Sequence, residues 1–418
     1  MDAGKAAQYD EAAALARCVS AAPTVFARDY WGIRPLLSPA ASLPADFCDL
    51  FSPAAADELL TERGLRTPFI RMAREGEVLP SGRFTASGGF GAQISDQVDP
   101  AMVLREFAAG ATIVLQGLHR TWPPLRTFTR RLVAELGHPA QVNAYITPES
   151  ERGFDPHYDV HDVFVLQVGG EKHWSVHAPV REHPRPDEPW SERRAAVEAR
   201  ARDNPVIDVV MQPGDALYLP SGWLHSAVAC HGTSIHLTIG VAALTGADVV
   251  GELVAEISRS PALRAPLPIN GGDAGPDVLI GAVQKVTAAF AGALEALRGG
   301  DGPVRTADAV RRSSQRTIRP APVAPLAAVA AAKDLSPKTV VRLPEGLTAR
   351  VDVDSDGVHL AADNQALRFP AECETAVRAL ATGERLWAGS LPGLDEPDSL
   401  VVTRRLLRSG LLVTEPRD

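Results

Sequence analysis

A chain of 418 residues with 45% apolar content has room for about two to four domains, each with a core of its own. Its formal net charge of −9 excludes a general polyanion binder, so DNA or an anionic membrane would have to be met by a local basic patch. Cys18, Cys48, Cys230 and Cys373 stand apart without CxxC spacing, which excludes a zinc ribbon and a disulfide framework and fits a reducing cytosol. Acids among the N-terminal alanines argue against a signal peptide, and no segment reads as eighteen or more apolar residues, so a soluble cytoplasmic protein without a membrane span is expected.

Residues 8–19 place Tyr9, Ala12, Leu15, Ala16 and Val19 at three-and-four spacing and predict a short amphipathic helix. The aromatic-rich segment Phe26–Leu37 reads as packing against a core, with an extended end limited by Pro35. Ala54–Arg63 is expected to be helical, Pro68–Arg74 a strand, and the Gly/Ser-rich stretch 81–91 a loop. Asp99-Pro100 has the chemistry of a helix start, for a helix running to about Ala109, and 111–116 follows as a strand. Pro123-Pro124 opens a helix over Leu125–Leu136, with Phe128, Leu132 and Leu136 on one stripe and Gly137 as its stop.

From Gln141 the pattern changes to short strands at Gln141–Ile146, Asp162–Val168, His173–His177, Ile207–Met211, Asp215–Leu219 and Ser234–Val241. Short strands separated by turn residues predict an antiparallel barrel or sandwich. One long insert, Pro179–Asn204, is rich in Pro, Arg and Glu, and Ser191–Arg202 within it reads as an exposed polar helix. It either borders the site or is a solvated elaboration of the surface.

After Leu244 the chain turns helical, at Asp248–Ile257, Asp277–Leu297 and Thr306–Gln315, and Arg319–Lys333 reads as a Pro/Ala-biased linker. The remainder is a small α+β unit. Its strands are Val340–Leu343, Thr348–Asp352, Gly357–Ala361 and Leu411–Thr414, its helices Pro370–Thr382 and Ser399–Ser409, an order that suggests a winged-helix-like module. The division is thus an N-terminal region, 1–110, a barrel, 111–245, a helical region and linker, 246–333, and the module, 334–418. From Val341 onward nine Arg and no Lys face thirteen acids, a net of −4, so direct nucleic-acid binding is not expected.

The chemistry gathers in Asn143–His177. His157 and Asp159 are two residues apart in a segment that reads as extended, where i and i+2 share a face. The run GDALYLPSGWLH delivers His225 at the end of an apolar strand. Two imidazoles and one carboxylate form the facial triad of non-haem Fe(II) oxygenases, which leaves positions open for a bidentate 2-oxo acid and O2. An isolated HxD occurs by chance as a solvated loop pair, but Pro156 fixes its entry and Leu217–Pro220 leads His225 to the mouth of a strand. His161, His173, His177, His231 and His236 compete and read mostly as structural or surface residues. The four-residue spacing of His157 and His161 would suit a zinc helix, which Pro156 and the β-branched context disfavour. Lys172, past the Gly169-Gly170 turn, either reaches back toward the metal or is an ordinary exposed turn lysine. Asn143 and Tyr145 share a parity that lets them hydrogen-bond an oxo acid or satisfy buried backbone.

The run NAYITP…GF…HYDVHDVFVLQVGGEKHW, with GDALYLPSGWLHSA downstream and DYWGIRPLL and LQGLHRTWPPL upstream, resembles the JmjC-type cupin family of ribosomal oxygenases (the cupin 4 group) over nearly the whole chain. The resemblance implies an α+β protein built on a double-stranded β-helix, with a helical dimerisation region and a C-terminal winged helix. It implies Fe(II) held by His157, Asp159 and His225, with 2-oxoglutarate and O2 as co-substrates. Lys172 would take the distal carboxylate, and Asn143 would line the site. It further implies hydroxylation of an arginine or histidine side chain of a ribosomal protein by a homodimer. Gly240 departs from the family pattern, which has serine there, and leaves substrate preference open. Two other readings stay beside this one: a natural-product or peptide hydroxylase of the same chemistry, and a non-catalytic metal-binding cupin acting as a regulator. Histone demethylation would rest on fold analogy alone.

Overall fold

The computed structural model describes residues 13–267, 277–317, 321–362 and 365–415. The chain divides into two compact units, one ending at Leu244 and one running from Thr245.

In the first unit thirteen strands are formed: β1 Leu36–Ser38, β2 Ile70–Arg74, β3 Glu77–Val78, β4 Thr85–Ala86, β5 Gln97–Val98, β6 Thr112–Leu115, β7 Ala140–Thr147, β8 Asp162–Gly169, β9 Lys172–His177, β10 Ile207–Met211, β11 Ala216–Leu219, β12 Leu224–Ala229 and β13 Ser234–Val241. Eight make an antiparallel sheet in the order β1-β11-β8-β13-β7-β6-β2-β3, and β10-β9-β12 make a second sheet. The chain passes between the sheets at the turn from β8 to β9 and again at the turn from β11 to β12. Each strand therefore has one face outside and one inside. Phe164, Leu166, Ala216 and Tyr218 join the outer core with Phe26, Leu59, Phe128 and Leu132 of the covering helices. Their neighbours Val163, Val165, Leu217 and Leu219 point inward to Trp174, Val176 and Met211. This is the double-stranded β-helix arrangement.

Local chemistry sets the helix ends as expected. Asp99 accepts the Met102 N–H at 3.0 Å ahead of Pro100, and Gly137 closes Pro123–Leu136 in the left-handed region at φ 73°. The first predicted helix is reduced, among the described residues, to one 3-10 turn, Leu15–Arg17, and residues 8–12 lie outside them. The stretch 81–91 is not wholly loop, since β4 pairs with β5.

Two expectations about the site strands are corrected. The HxD segment is not a regular strand: only His157 is paired, in a single bridge to His225. His225 does not end the preceding apolar strand; it is the second residue of β12, formed after the 220–223 turn. The pairing is long-range, which is why local pattern did not reveal it.

The β8–β9 turn depends on Gly170, at φ 60°, where a Cβ would run into the Thr233 carbonyl. Gly170→Ala should therefore cost about 2–4 kcal/mol and lower the melting temperature by several degrees, as read by calorimetry. An unchanged melting temperature would show that the turn relaxes freely.

The second unit begins with helices Gly246–Ile257, Pro261–Arg264, Asp277–Arg298 and Gly302–Thr317. The expected absence of a membrane-length helix is corrected here: Val278–Arg298 is long and apolar enough to cross a bilayer by length and composition, with only 6% of it buried. Lys285 and scattered polar residues interrupt the apolar run while alanine, valine and leucine keep its average high. The linker holds a helix, Pro325–Lys333. The C-terminal part has two three-stranded antiparallel sheets, β14 Val340–Arg342 with β18 Leu386–Trp387 and β19 Val413–Thr414, and β15 Ala349–Asp354, β16 Gly357–Ala362 and β17 Gln365–Phe369. Helices Glu374–Ala381 and Glu396–Arg408 bury Val377, Leu380, Leu406 and Leu407 against Val341, Leu360 and Phe369. Strand β17 was not foreseen from the sequence.

Candidate metal centre

The two segments that carry the triad are tied together by backbone. The His157 N–H donates to the His225 carbonyl at 3.1 Å and the His225 N–H to the His157 carbonyl at 2.9 Å, and Gly222 N–H reaches the Asp159 carbonyl at 2.9 Å. Asp162 strengthens the joint from beneath. Its buried carboxylate accepts Tyr218 Oη at 2.6 Å and Ser221 N–H at 2.9 Å. These bonds place His157, Asp159 and His225 so that one ligand atom from each lies within 4.8 Å of the others.

Both imidazoles are oriented by their Nδ1 atoms, which donate to carbonyls: His157 to Asp155 at 2.7 Å and His225 to Trp223 at 3.1 Å. That leaves each Nε2 as the lone-pair donor a metal requires. His225 Nε2 stands 3.7 Å from Asp159 Oδ2. Burial, aided by the charge of His157, depresses the His225 imidazole to about 4. Burial works to raise the Asp159 carboxyl, but His225, His157, His161 and Arg71 outweigh it and hold its pKa below the ordinary carboxylate range. Near neutral pH His225 is a neutral imidazole and Asp159 a carboxylate.

Strand parity defines the pocket behind the triad. Lys172, Trp174 and Val176 share the inner face of β9 and pair with Ala229, Ala227 and His225 of β12. Lys172 is only 4% exposed and donates to Thr147 Oγ1 at 2.9 Å, so the solvent-exposed reading of this lysine is wrong. Burial lowers its pKa to about 7. Tyr145 stacks on His236 with ring centroids 5.0 Å apart, and Trp174 meets His236 edge-on at 5.3 Å. Burial raises the Tyr145 phenol and pushes the His236 imidazole well down. Asn143 uses its side-chain oxygen to accept the Gly117 N–H at 3.0 Å, so at least half of its role is structural.

Several polar atoms here are shut off from solvent without a hydrogen-bond partner: Arg71 Nε, Trp174 Nε1 and His236 Nδ1. An orphaned buried donor costs about 1–3 kcal/mol. A cluster of donors beside a half-satisfied buried ammonium is the complement of a carboxylate ligand. The residues present therefore fit a divalent metal at the triad and a dicarboxylate behind it.

Sequence reasoning missed His236, Thr147, Trp174 and Arg71 as pocket residues. The available signal was parity: His236 and Thr238 face Tyr145 and Asn143 across the β13–β7 ladder. The insert does border the centre. Trp190 lies 6.1 Å from the His157 ring, and Tyr158 Oη donates to the Glu188 carbonyl at 2.9 Å.

Residues 123–249 match the JmjC domain family. The chain is 30% identical over 228 residues to ribosomal oxygenase 1 of Gallus gallus, covering 52% of this chain and 35% of that one. It is 40% identical over 99 residues to the bifunctional lysine-specific demethylase and histidyl-hydroxylase NO66 of Drosophila persimilis, covering 23% and 14%. It thus spans about a third or less of the length of these curated relatives. Among solved structures it is similar to YcfD, a ribosomal oxygenase from Escherichia coli, with a TM-score of 0.52 and 18% identity over 96% of this chain and 99% of that one. A YcfD structure in complex with cobalt and 2-oxoglutarate matches with a TM-score of 0.50 and 17% identity over 96% and 99%. At these identities the structures establish a shared fold.

Proposed function

We infer that this chain, which belongs to the JmjC-domain proteins of the ribosomal oxygenase family, is an Fe(II)- and 2-oxoglutarate-dependent oxygenase that hydroxylates an amino-acid side chain of a protein. The observation that carries this reading is the triad of His157, Asp159 and His225 at the barrel mouth, with buried Lys172 inside the barrel. In it His157, Asp159 and His225 hold the metal. Lys172, steadied by Thr147, receives the distal carboxylate of 2-oxoglutarate, and Tyr145 and Asn143 line the same chamber. Fe(II) bound there supplies O2 activation, coupled to oxidative decarboxylation of 2-oxoglutarate and oxygen insertion into a C–H bond. The protein's share is to orient the two carboxylates, exclude water with Trp174, Tyr145 and Trp190, and hold the target carbon at the mouth.

The names of the relatives, ribosomal oxygenases and a histidyl-hydroxylase, support a ribosomal protein as the target and a histidine side chain within it, with arginine as the other candidate from the sequence resemblance. Succinate release by the Fe(II)-loaded protein, with and without ribosomal proteins, tests this. Stimulation together with a mass gain of one oxygen on one such protein is the expected result. Absence of both 2-oxoglutarate turnover and 2-oxoglutarate binding would leave only a metal-binding cupin.

The helical region is proposed to pair two copies. Val249, Val250 and Val254 of Gly246–Ile257, and Leu279, Ile280, Val283 and Val286 of Asp277–Arg298, are all at least 40% exposed. An apolar surface of this kind requires a cover. Light scattering should give a dimer, and Ile280→Asp with Val283→Asp should convert it to monomer without loss of Co(II) binding. A wild-type monomer that partitions onto vesicles would assign the helix to a membrane instead. Cytoplasmic placement, supported by four free cysteines, and a partner-contact role for the acidic winged-helix-like module belong to the same proposal.

A further inference from the structure

On its inward side β13 presents His236, Thr238 and Gly240 opposite Tyr145, Asn143 and Gln141 of β7. Gly240 is the position in this row from which no side chain enters the barrel. Its backbone φ does not lie in the region that favours glycine; what excludes a side chain is the imidazole of His161. A Cβ at residue 240 would stand 2.9 Å from His161 Nε2, 3.2 Å from Cε1 and 3.3 Å from Cδ2. The ring therefore lies over residue 240 and fills the volume that a side chain of β13 would otherwise take.

Two further observations locate this ring in the working part of the pocket. His161 follows Asp159 by two residues and sits on Gly240, whereas Lys172 bonds Thr147, which pairs with Ser234 six residues away along β13. His161 thus stands at the metal end of the chamber and Lys172 at the other. Its Nδ1 is enclosed without a hydrogen-bond partner, a deficit of about 1–3 kcal/mol that a ligand group would offset.

We propose that His161, seated on Gly240, is a substrate-positioning residue whose imidazole hydrogen-bonds the nitrogen-bearing side chain presented for oxidation. The inference rests on the oxygenase reading and deepens it by naming what selects the target. A neutral imidazole offers one acceptor and one donor nitrogen. It satisfies a guanidinium or imidazole N–H and leaves an apolar side chain with a buried unpaired nitrogen beside it. The pair acts together: any residue with a Cβ at 240 displaces the ring, and the ring needs the bare backbone to sit where it does.

The test uses the full chain loaded with Co(II) and 2-oxoglutarate, with arginine- and histidine-containing ribosomal peptides as probes. His161→Phe keeps the ring volume over Gly240 and removes both nitrogens. Gly240→Ala keeps the imidazole and forces it aside by a few tenths of an ångström. In the wild type, peptide should perturb the visible Co(II) spectrum. In His161→Phe that response should vanish and the peptide KM of the Fe(II) form should rise about tenfold or more, with kcat changing less. Co(II) and 2-oxoglutarate dissociation constants should stay within about twofold of wild type, and Gly240→Ala should fall between the two. A wild-type peptide KM in His161→Phe would overturn the proposal, as would loss of Co(II) or 2-oxoglutarate affinity, which would make the ring structural. A wild type that binds both ligands and ignores every peptide would overturn the substrate class. A wild type that binds neither would fail the oxygenase reading itself.

Discussion

Lys172→Met should weaken 2-oxoglutarate binding by about 10²–10³-fold and at the same time raise the melting temperature of the ligand-free protein. The two effects have one cause. An ammonium 4% exposed, with Thr147 Oγ1 at 2.9 Å, is poorly compensated for its lost hydration. Burial moves its pKa from 10.5 in the unfolded chain to about 7 in the folded one. Between those values the unfolded state holds more protons, so stability rises with pH through that window. Below about 7 both states are charged and the folded state carries the whole penalty, on the order of 4–5 kcal/mol. Methionine keeps the apolar stem and removes the charge. The loss of a partner for Thr147 reduces the gain, leaving about 2 kcal/mol and a rise of several degrees.

The same lysine sets a pH dependence in the wild type. Carboxylate binding needs the protonated amine, so 2-oxoglutarate affinity should be flat below about pH 7 and decline above it, by up to roughly tenfold per unit, with proton uptake on binding. Calorimetry in buffers of different ionisation enthalpy measures both quantities. An affinity that strengthens with rising pH, or a Lys172→Met protein with wild-type affinity, would remove the lysine from the co-substrate site.

His157→Ala, Asp159→Ala and His225→Ala should each abolish stoichiometric Co(II) binding and lower turnover by at least about 10³-fold, the equivalent of some 4 kcal/mol of barrier. The fold should persist, because the joint between the two ligand segments is made by backbone bonds and by the Asp162–Tyr218 pair. His173→Ala is the matched control. His173 lies on the outer face of β9, with Nε2 2.8 Å from Asp208, and its loss should leave metal content unchanged. Metal analysis after dialysis and the Co(II) absorption spectrum decide the matter. Full metal content in any of the three triad variants would show that the ion sits elsewhere.

The three residues that the structure gathers into a possible metal site were legible because each came with a local marker. Pro156 introduces the HxD pair, and an apolar strand and a Pro-Ser-Gly turn lead to His225; the Gly169-Gly170 turn marks the end of β8, but the hairpin it suggests does not form, because β9 pairs in the other sheet. Helix ends were legible for the same reason: Asp99-Pro100 and Gly137 act through their own backbone neighbours. Lys172 was named through the family resemblance, but its burial was not legible in the local pattern. A lysine just past a glycine turn is exposed in most hairpins, and this one is buried because β9 leaves the large sheet and its inner face turns toward Thr147. His236 was passed over among competing histidines because its relation to Tyr145 exists only once β13 has paired with β7. Trp190 looked like part of a polar insert, and the Tyr158–Glu188 bond, with Val180, Trp190 and Val197 packed against Tyr158 and Leu224, brings that insert over His157.

By itself, then, the sequence determined which residues could bind a metal, where helices and turns begin and end, and that the strands form an antiparallel barrel or sandwich, since each of these follows from neighbours a few positions away. Only the tertiary structure decided which face of each strand looks inward. That choice placed Lys172, Thr147 and His236 in one chamber and set His161 on Gly240. Inward and outward positions alternate with period two, and a strand's register is set by partners tens of residues distant.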